Sequence, residues 1–354
     1  MYRSILQTKE WAQLKEKYGQ KPHWISDVLV LEHKLPLKKC FLYAPEIDQV
    51  QLHDMDKAQF DELSQKTGAV FARIEIANKV LERADYLNDS LKGFIKSHDE
   101  IQPKNRQVVD LRQDEEVILG QMKSKGRYNI RVAQRHNVEV KNFKPESMHR
   151  AANIDHEMSF WGKSEDRRSI TKHQEPNTKQ SSSINNQTDE IASQARNDNF
   201  DAVKIFYNLY RETVRREKIT GRSIDYFYDM VDILGAKDYA EVFVAYLQDQ
   251  PLAAAIVTYY DGVASYLYGG SSRLNREVMA PFALHWAIMK AAKARNCHHY
   301  DLLGVAPEGV QKHKWAGLTR FKENFGGKNV EIIGSYDKVY HLGWYRLFRF
   351  MRKK

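Results

Sequence analysis

The clearest indication of the fold is AEVFVAYLQDQPLAAAIVTYYDGVASYLYGGS, residues 240–271. Three runs rich in Val, Ala, Ile and Tyr alternate with two short turns, at 249–251 and 261–262. β-Branched and aromatic runs of this length, joined by Asp, Gly and Pro, are typical of antiparallel strands connected by tight turns. The sequence therefore predicts a three-stranded meander.

Helical patterns surround the meander. Helices are predicted over 200–219 and 223–234 before it and over 281–296 after it, and a strand follows at 298–305. This order predicts an α+β fold with a mixed, mostly antiparallel sheet flanked by helices. The first half shows a comparable order, which indicates a duplicated fold: helix 8–18, two strands around the turn at Leu35 and Pro36, helix 56–68, strands 69–77 and 106–111, helix 114–135 and strand 138–143.

The composition narrows the class of protein. The chain has 354 residues and a formal net charge of +9, which favours two domains and an anionic partner. Its two cysteines, Cys40 and Cys297, show no metal-ligand spacing and no disulfide framework, as is typical of the cytoplasm. We expect neither a signal peptide nor a spanning helix, since no apolar run reaches about 18 residues.

The segment 162–199 differs from the rest of the sequence. It contains no aromatic residue and few aliphatic ones, so it cannot bury enough apolar surface to offset the entropy of ordering. We expect an exposed and disordered insertion, and a lid or docking loop is the functional alternative.

The common catalytic motifs are absent from the sequence. It has no G-x-S-x-G, no P-loop, no H-E-x-x-H and no C-x-x-C. The histidines are scattered without Cys or carboxylate partners at ligand spacing, so we expect no metal site.

Cations recur every four residues along the predicted helix 114–135. Lys123, Arg127, Arg131 and Arg135 therefore lie in one row, and like charges at this spacing repel by a few tenths of a kcal/mol per pair. A phosphate-facing row would relieve that repulsion, because the arginine fork bonds two phosphate oxygens. A solvated helix face is an equal alternative.

A second basic cluster is RETVRREKITGRSIDYF, residues 211–227. Here Arg222 precedes Tyr226 and Phe227, so the cation could hold a phosphate while a ring covers a sugar or base. An arginine that caps the preceding helix is the alternative. The glycines after Tyr268, in YLYGGSSR, could also let backbone amides approach a ligand, although the same pattern fits a bulge.

The stretch WAGLTRFKENFGG, residues 315–327, combines three aromatic residues with a Lys-Glu pair between glycines. A core strand would not carry Lys and Glu at its centre, and a surface loop seldom carries three large rings. We interpret it as a segment that packs on the body of the protein and presents the cation Lys322.

Several collinear stretches carry a family likeness. The chain resembles the FemABX family of non-ribosomal peptidyltransferases, which extend the peptide stem of peptidoglycan precursors with aminoacyl-tRNA. Besides 315–327, the stretches are LQTKEWAQL at 6–14, IQPKNRQVVDL at 101–111, MKSKGRYNIRVAQRHNVEV at 122–140, LAAAIVTYYDGVASYLYGGSSR at 252–273, MAPFALHWAIMKAAKARNCHHYDLLGV at 279–305 and SYDKVYHLGWYRL at 335–347.

The resemblance implies two GNAT-like domains of the compact kind that lacks a long helical arm. We expect the first domain to comprise 1–148 together with the C-terminal 334–354. The second comprises 149–333 and contains the polar insertion at 162–199.

The resemblance also implies roles for single residues. By this resemblance, Lys38 of the first domain and Arg222 of the second domain bind the substrate phosphates. Lys34 and Lys39 are alternatives to Lys38. Phe321 and Lys322 correspond to the family's Phe-Lys pair, which positions the tRNA end and stabilises the reaction. The remaining substrate-binding candidates are Tyr226, Tyr268, Arg127 and Arg131, and Asp110 is interpreted as a structural cap rather than a base.

The activity implied is transfer of an amino acid from aminoacyl-tRNA to the peptide-stem amine of a peptidoglycan precursor. The ester bond of the aminoacyl-tRNA is already activated. The enzyme therefore needs to position the two substrates and to place a charge near the oxyanion, and it needs no nucleophile of its own. The expected partners are aminoacyl-tRNA and a UDP-linked or lipid-linked muropeptide, without DNA and without a cofactor.

The sequence leaves other functions open. They are a GNAT-type acyltransferase that uses acyl-CoA on a sugar or peptide amine, its exopolysaccharide-associated relatives, and an inactive member that binds tRNA or precursor. We expect a cytoplasmic protein. The basic tail WYRLFRFMRKK, 344–354, leaves contact with the inner face of the plasma membrane as an alternative to a helix packed on the first domain.

Overall fold

The computed structural model describes residues 3–77, 90–97, 99–144, 202–310 and 312–352, and these form two β-sheets with helices packed on them. The strands are β1 Lys21–Ile25, β2 Val28–Leu35, β3 Lys39–Ile47, β4 Ala69–Ile76, β5 Ile95–Lys96, β6 Asn105–Asp110, β7 Val138–Phe143, β8 Ala240–Leu247, β9 Gln250–Tyr260, β10 Val263–Ser271, β11 His299–Gly304, β12 Lys328–Glu331 and β13 Gly334–Val339.

The helices connect and cover these strands. They are α1 Lys9–Lys17, α2 Gln49–Asp54, α3 Lys57–Thr67, α4 Glu115–Gln121, α5 Ser124–Arg135, α6 at 202–217, α7 Ile224–Gly235, α8 Ala280–Ala294, α9 Ala316–Lys322 and α10 Leu342–Arg352. Their ends follow local chemistry: α3 begins where the Asp56 side chain accepts from the Ala58 amide, and it ends at Gly68, whose φ of 66° suits a left-handed cap.

The first sheet has the order β1-β2-β3-β4-β13-β5 in the described part of the chain. β1, β2 and β3 form an antiparallel meander, and α3 then carries the chain across to β4, which pairs parallel with β3.

The second sheet has the order β12-β6-β11-β10-β9-β8-β7 and repeats this arrangement. β8, β9 and β10 form the meander predicted at 240–271, and α8 carries the chain across to β11, which pairs parallel with β10. The predicted α+β fold with two mostly antiparallel sheets is therefore confirmed.

The sheets divide the chain differently from the expected boundary at 148. β6 and β7 lie before that boundary, yet both belong to the second sheet, where β6 pairs with β11 and β7 pairs with β8. The reason is burial: Val109, Leu111 and Ile130 pack into the core beneath α8. β13 returns from the C-terminal region to pair with β4 in the first sheet.

The long helix expected over 114–135 is divided into α4 and α5. Met122 between them is extended, with φ −66° and ψ 151°, and its side chain is buried in the second core. This bend brings the apolar sides of both short helices onto the same core, which one straight helix could not achieve.

A shared apolar cluster joins the two sheets. Trp11 and Leu14 of α1 and Leu31 of β2 pack in one cluster with Phe206 of α6 and Met230 of α7. We call each sheet with the helices packed on it a lobe. The two lobes therefore meet across an apolar core, with α1 between them.

The polar segment 162–199 lies outside the described residues, so its predicted disorder stays a prediction. Over the ranges that the structure describes, none of the helices combines the length and apolar character needed to cross a membrane.

A buried ion pair fixes the C-terminal strand in the first sheet. The Arg73 guanidinium donates from Nε and Nη2 to the two carboxylate oxygens of Asp337 at 2.7 and 2.8 Å, and both side chains are almost fully buried. The Tyr345 hydroxyl of α10 donates to the same carboxylate at 2.7 Å. One aspartate thus ties β4, β13 and α10 together.

We expect Asp337→Ala to lower the free energy of unfolding by about 3–5 kcal/mol, because it leaves the Arg73 charge buried without its partner. The matched control is Glu331→Ala, which removes an exposed partner of Lys104 and is expected to lose about 1 kcal/mol or less. Urea denaturation measures both values, and equal losses in the two variants would contradict this role for Asp337.

Candidate functional site

Lys322, the last residue of α9, points into the protein. Its side chain is only 4% exposed, and Nζ donates a 2.7 Å hydrogen bond to the carbonyl oxygen of Gly304. Gly304 ends β11 and lies opposite Arg106 of β6. The ammonium is therefore held at the end of a central strand rather than in solvent.

Aromatic packing holds the segment that carries Lys322. The Phe321 ring contacts Phe282 and His285 of α8 and Phe325 of the following turn, with ring centroids 5.3 to 5.4 Å apart. Gly126 lets α5 approach the turn that follows α9, since a Cβ at this position would lie 2.1 Å from the Asn324 carbonyl oxygen. Phe321 thus acts as an anchor that fixes the orientation of Lys322.

The strands around Lys322 separate at this point. The parallel pairing of β10 with β11 stops at Ser265 and Asp301, and β11 then bulges, with Leu303 at a φ of 58°. Positive φ in a non-glycine residue is uncommon and often marks a functional site. Glu46, in the bulge of β3 on the opposite sheet, has a φ of 45°.

A charged junction links the two sheets beside this gap. Arg106 forms ion pairs with Asp301, at 3.2 Å, and with Glu46 of the first sheet, and all three side chains are less than a tenth exposed. The Ser4 hydroxyl also donates to Glu46, at 2.6 Å. A cavity of about 30 Å³ between the sheets is lined in part by these residues and by Leu303, and it has room for a water molecule.

The environment lowers the basicity of Lys322. Burial lowers its pKa to about 8, the Asp301 carboxylate acts in the opposite direction, and Arg106 adds to the lowering. Burial also lowers the pKa of the adjacent His285 to about 3, with the Lys322 charge adding to the effect. Lys322 is therefore mostly protonated at neutral pH and loses its proton above about pH 8, while His285 is a neutral partner of the Tyr300 hydroxyl.

A second cationic cluster lies where α1 meets α7. Lys15 of α1 donates from Nζ to the Tyr226 hydroxyl at 2.9 Å and lies 4.3 Å from the centre of the Trp11 ring. The Arg222 guanidinium lies 5.0 Å from the centre of the Tyr226 ring. Neither Lys15 nor Arg222 has a carboxylate partner among the described residues. Cations of this kind make strong, charge-assisted hydrogen bonds with phosphate or carboxylate oxygens.

The pKa of Lys15 reflects this proximity. Burial and the positive charge of Arg222 lower it to about 7. Burial and the charge of Lys15 likewise lower the pKa of His33, on β2, to about 4. A bound anion would stabilise the charged form of Lys15.

A wide groove lies on the outer side of α9. It has a volume of about 780 Å³, and its wall carries the cations Lys123 and Arg320 together with the carboxylates of Glu308 and Glu323.

The sequence profile of the FemAB family matches residues 77–250 and 245–353. The chain belongs to the FemAB family. Aminoacyltransferase FemB from Staphylococcus epidermidis is 22% identical over 208 residues, which is 42% of this chain and 50% of that protein. This chain therefore spans about half the length of that relative. Aminoacyltransferase FemA from the same species is 23% identical over 88 residues, which is 25% of this chain and 21% of the FemA chain.

The fold of this FemAB protein is also that of a solved relative. The crystal structure of FemX aligns with a TM-score of 0.71 and 17% identity over 98% of this chain and 94% of that one. The match covers both sheets and confirms the fold that the family resemblance implied.

Tyr226, Tyr268 and Lys38, which were also predicted for the site, lie on α7, on β10 and in the β2–β3 turn. Tyr226 and Tyr268 are neighbours of Arg222, with their ring centroids 6.3 Å apart. Lys38 lies on the exposed β2–β3 turn with a φ of 56°, and the cation beside Arg222 is instead Lys15. The roles of Lys38, Tyr226 and Tyr268 stay predictions.

The cationic row on α5 is not a uniform surface. Arg127 donates from Nη1 to the carbonyl oxygens of Gly120 and Met122, so it caps the end of α4. Lys123 pairs with Glu323 at 2.5 Å. Arg131 is exposed and has no ion-pair partner in the described ranges, so it can meet an external anion.

Asp110 has the structural role that the sequence favoured. Its carboxylate accepts from the Arg112 amide and side chain, and those hydrogen bonds hold its pKa well below the usual range. Among the residues that the structure describes, no group of His, Cys, Asp and Glu could hold a metal ion.

Sequence reasoning missed Lys15, Arg106 and Asp301. Lys15 follows Trp11 by four residues on α1, which puts a lysine on the apolar side of the helix and was the available signal. Arg106 and Asp301 lie on strands that are almost 200 residues apart in sequence. A local sequence pattern does not reveal that two such residues form an ion pair.

We expect Lys15 to titrate near pH 7, well below an ordinary lysine at about 10.4, and Arg222→Gln to raise that pKa by removing a like charge. NMR of lysine labelled with ¹³C at Cε measures both values. A Lys15 signal that titrates near the ordinary lysine value of about 10.4 would contradict the arrangement.

Proposed function

We propose that this protein transfers an amino acid from aminoacyl-tRNA to the peptide-stem amine of a peptidoglycan precursor. Its FemB and FemA relatives are named aminoacyltransferases, and membership of the FemAB family supports the same class of reaction. The observation that carries the proposal is a buried ammonium, Lys322, held at the end of β11 where the parallel strands separate.

The chemistry requires a charge and a fixed geometry. The amine attacks the ester carbonyl of the charged tRNA, a tetrahedral oxyanion forms, and the bond to the ribose oxygen breaks. A cation positioned beforehand stabilises that oxyanion without reorganisation. With a pKa of about 8, Lys322 can also give a proton to the departing ribose oxygen, which carries away the electron pair.

The two substrates are polyanions, and the cationic clusters suit them. Lys15 and Arg222 come from different lobes and would hold the precursor phosphates, with Tyr226 between them. Arg131 is exposed and offers positive charge to the tRNA backbone, whose phosphates dominate such binding. Lys38 is the alternative to Lys15 as the cation of the first lobe.

The test of this proposal is a transfer assay with mixed charged tRNA and a nucleotide-linked muropeptide, followed by product mass. We expect an increase by one or more amino acid residues that depends on tRNA. Acylation from acyl-CoA instead, or binding without transfer, would contradict the proposal.

We expect Lys322→Met to slow transfer by roughly 100- to 1,000-fold, the typical loss for an oxyanion donor, while precursor affinity changes little. Lys237→Met, which removes an exposed lysine, is the matched control and should transfer normally. Single-turnover rates with saturating charged tRNA measure the effect. Undiminished turnover in Lys322→Met would remove Lys322 from the mechanism.

We expect precursor affinity to fall as pH rises above about 7, because Lys15 then loses the proton that its phosphate contact requires. Lys15→Met should weaken binding by roughly tenfold or more and abolish this pH dependence, since hydrogen bonds to charged groups contribute about 1.5–3 kcal/mol. Calorimetric titration of Lys15→Met and Lys38→Met distinguishes the two lysines. A loss confined to Lys38→Met would assign the phosphate contact to Lys38.

A further inference from the structure

The C-terminal helix α10 has two apolar sides, and only one of them packs on the protein. Tyr345 and Phe348 are buried against Phe41 and Phe71 of the first sheet. The other side is formed by Leu347, Phe350 and Met351, which follow one another at helical spacing and are 43%, 63% and 46% exposed. Large apolar groups clustered on a surface in this way usually mark an interaction site.

The helix is also strongly basic. Residues 341–354 contain five lysines and arginines and no aspartate or glutamate. Arg346 is exposed next to Leu347, and Arg349 lies 5.9 Å from the centre of the Tyr345 ring. The apolar strip is thus accompanied by cations without a compensating carboxylate on the same helix.

A second segment extends this surface. The turn between β2 and β3 lies against α10, since Lys39 Nζ is 5.8 Å from the centre of the Trp344 ring and Leu35 packs in the same cluster as Trp344. At the tip of the turn Leu37 is 73% exposed, with Lys38 beside it. We call the surface made by Leu37, Lys38, Arg346, Leu347, Phe350 and Met351 the basic–apolar face.

We propose that the basic–apolar face binds the surface of an anionic lipid bilayer. Leu347, Phe350 and Met351 would enter the boundary between headgroups and acyl chains, as the apolar side of an interfacial helix does. Arg346 and the lysines of the turn would remain at the level of the anionic headgroups, where each cation contributes about 1 kcal/mol.

Other occupants match the face less well. A nucleic acid would pair with the arginines, but its phosphates offer nothing to Leu347 and Met351. A second copy of the chain in a two-fold dimer would bring the same basic segment against itself, with repulsion between the cations. A bilayer that carries anionic lipid satisfies both the apolar strip and the charge.

This inference concerns a surface of the first sheet and α10, and the proposed transfer chemistry depends on Lys322 in the second lobe. The two can therefore fail separately. Where the acceptor is lipid-linked, membrane contact would bring the protein to the surface that displays it.

The test is sedimentation of the full chain with vesicles of phosphatidylcholine, alone or mixed with phosphatidylglycerol. We expect binding to the mixed vesicles, weaker binding to phosphatidylcholine alone, and loss of binding as salt is raised. The triple variant Leu347→Ser, Phe350→Ser, Met351→Ser should bind the mixed vesicles about tenfold less tightly or worse, because each buried methylene contributes about 0.8 kcal/mol.

The matched control is Val117→Ser with Leu274→Ser, two apolar residues of similar exposure outside the face, and it should bind vesicles normally. The circular dichroism spectrum of the triple variant should match that of the unsubstituted chain, which shows that the variant is folded whether or not the protein transfers an amino acid. Absence of vesicle binding by the unsubstituted chain, or equal binding by the triple variant, overturns the proposal. So does a dimer in sedimentation that the triple substitution dissociates, which would assign the face to a second copy.

Discussion

The candidate site depends on the ion pairs that Arg106 forms across the two sheets. Arg106 lies on β6, bonds Asp301 of β11 in its own sheet and reaches Glu46 in the β3 bulge of the other. Charges this deeply buried are tolerated only when they are paired and hydrogen-bonded. The junction therefore fixes the distance between the lobes and keeps a carboxylate, Asp301, close enough to Lys322 to favour its charged form.

The repeated architecture explains why the site lies at this level of the fold. In each lobe an antiparallel meander is followed by a helix and then by a strand that pairs parallel with the last strand of the meander. In the second lobe that parallel pairing ends early, and strained residues occur on both sides of the gap: Leu303 on β11 and Glu46 on β3. Separated strands leave backbone groups such as the Gly304 carbonyl available, and Lys322 binds one of them.

Much of the fold follows from local chemistry in the sequence. The meander at 240–271, the cap residues Asp56 and Gly68 of α3, and the packed segment that carries Lys322 each have a local signal, namely alternation, turn chemistry or ring content. Local patterns do not reveal the features that are decided by contacts between distant parts of the chain. Assignment of β6 and β7 to the second sheet, and the bend at Met122, depend on a core assembled from residues far apart in sequence.

The same difference between local sequence signals and long-range contacts applies to the residues of the candidate site. The family likeness and the neighbouring aromatic residues point to Lys322 and Arg222, whose roles stay predictions. Lys15 could not be located in this way, since a lysine on an amphipathic helix usually lies in solvent, and only the packing of α1 against α7 brings it to Tyr226. Arg127 shows the opposite error, because four-residue spacing on a helix does not reveal that a guanidinium is occupied by nearby carbonyl groups.

The central claim is that the buried ammonium of Lys322, rather than an attacking side chain, promotes acyl transfer. The most direct measurement is the pH dependence of the single-turnover rate for the unsubstituted protein and for Lys322→Arg. We predict that the rate of the unsubstituted protein falls above about pH 8, where Lys322 loses its proton, and that the guanidinium variant retains its lower rate to higher pH. An alkaline limb at the same pH in both proteins, or no alkaline limb in the unsubstituted protein, would contradict the claim.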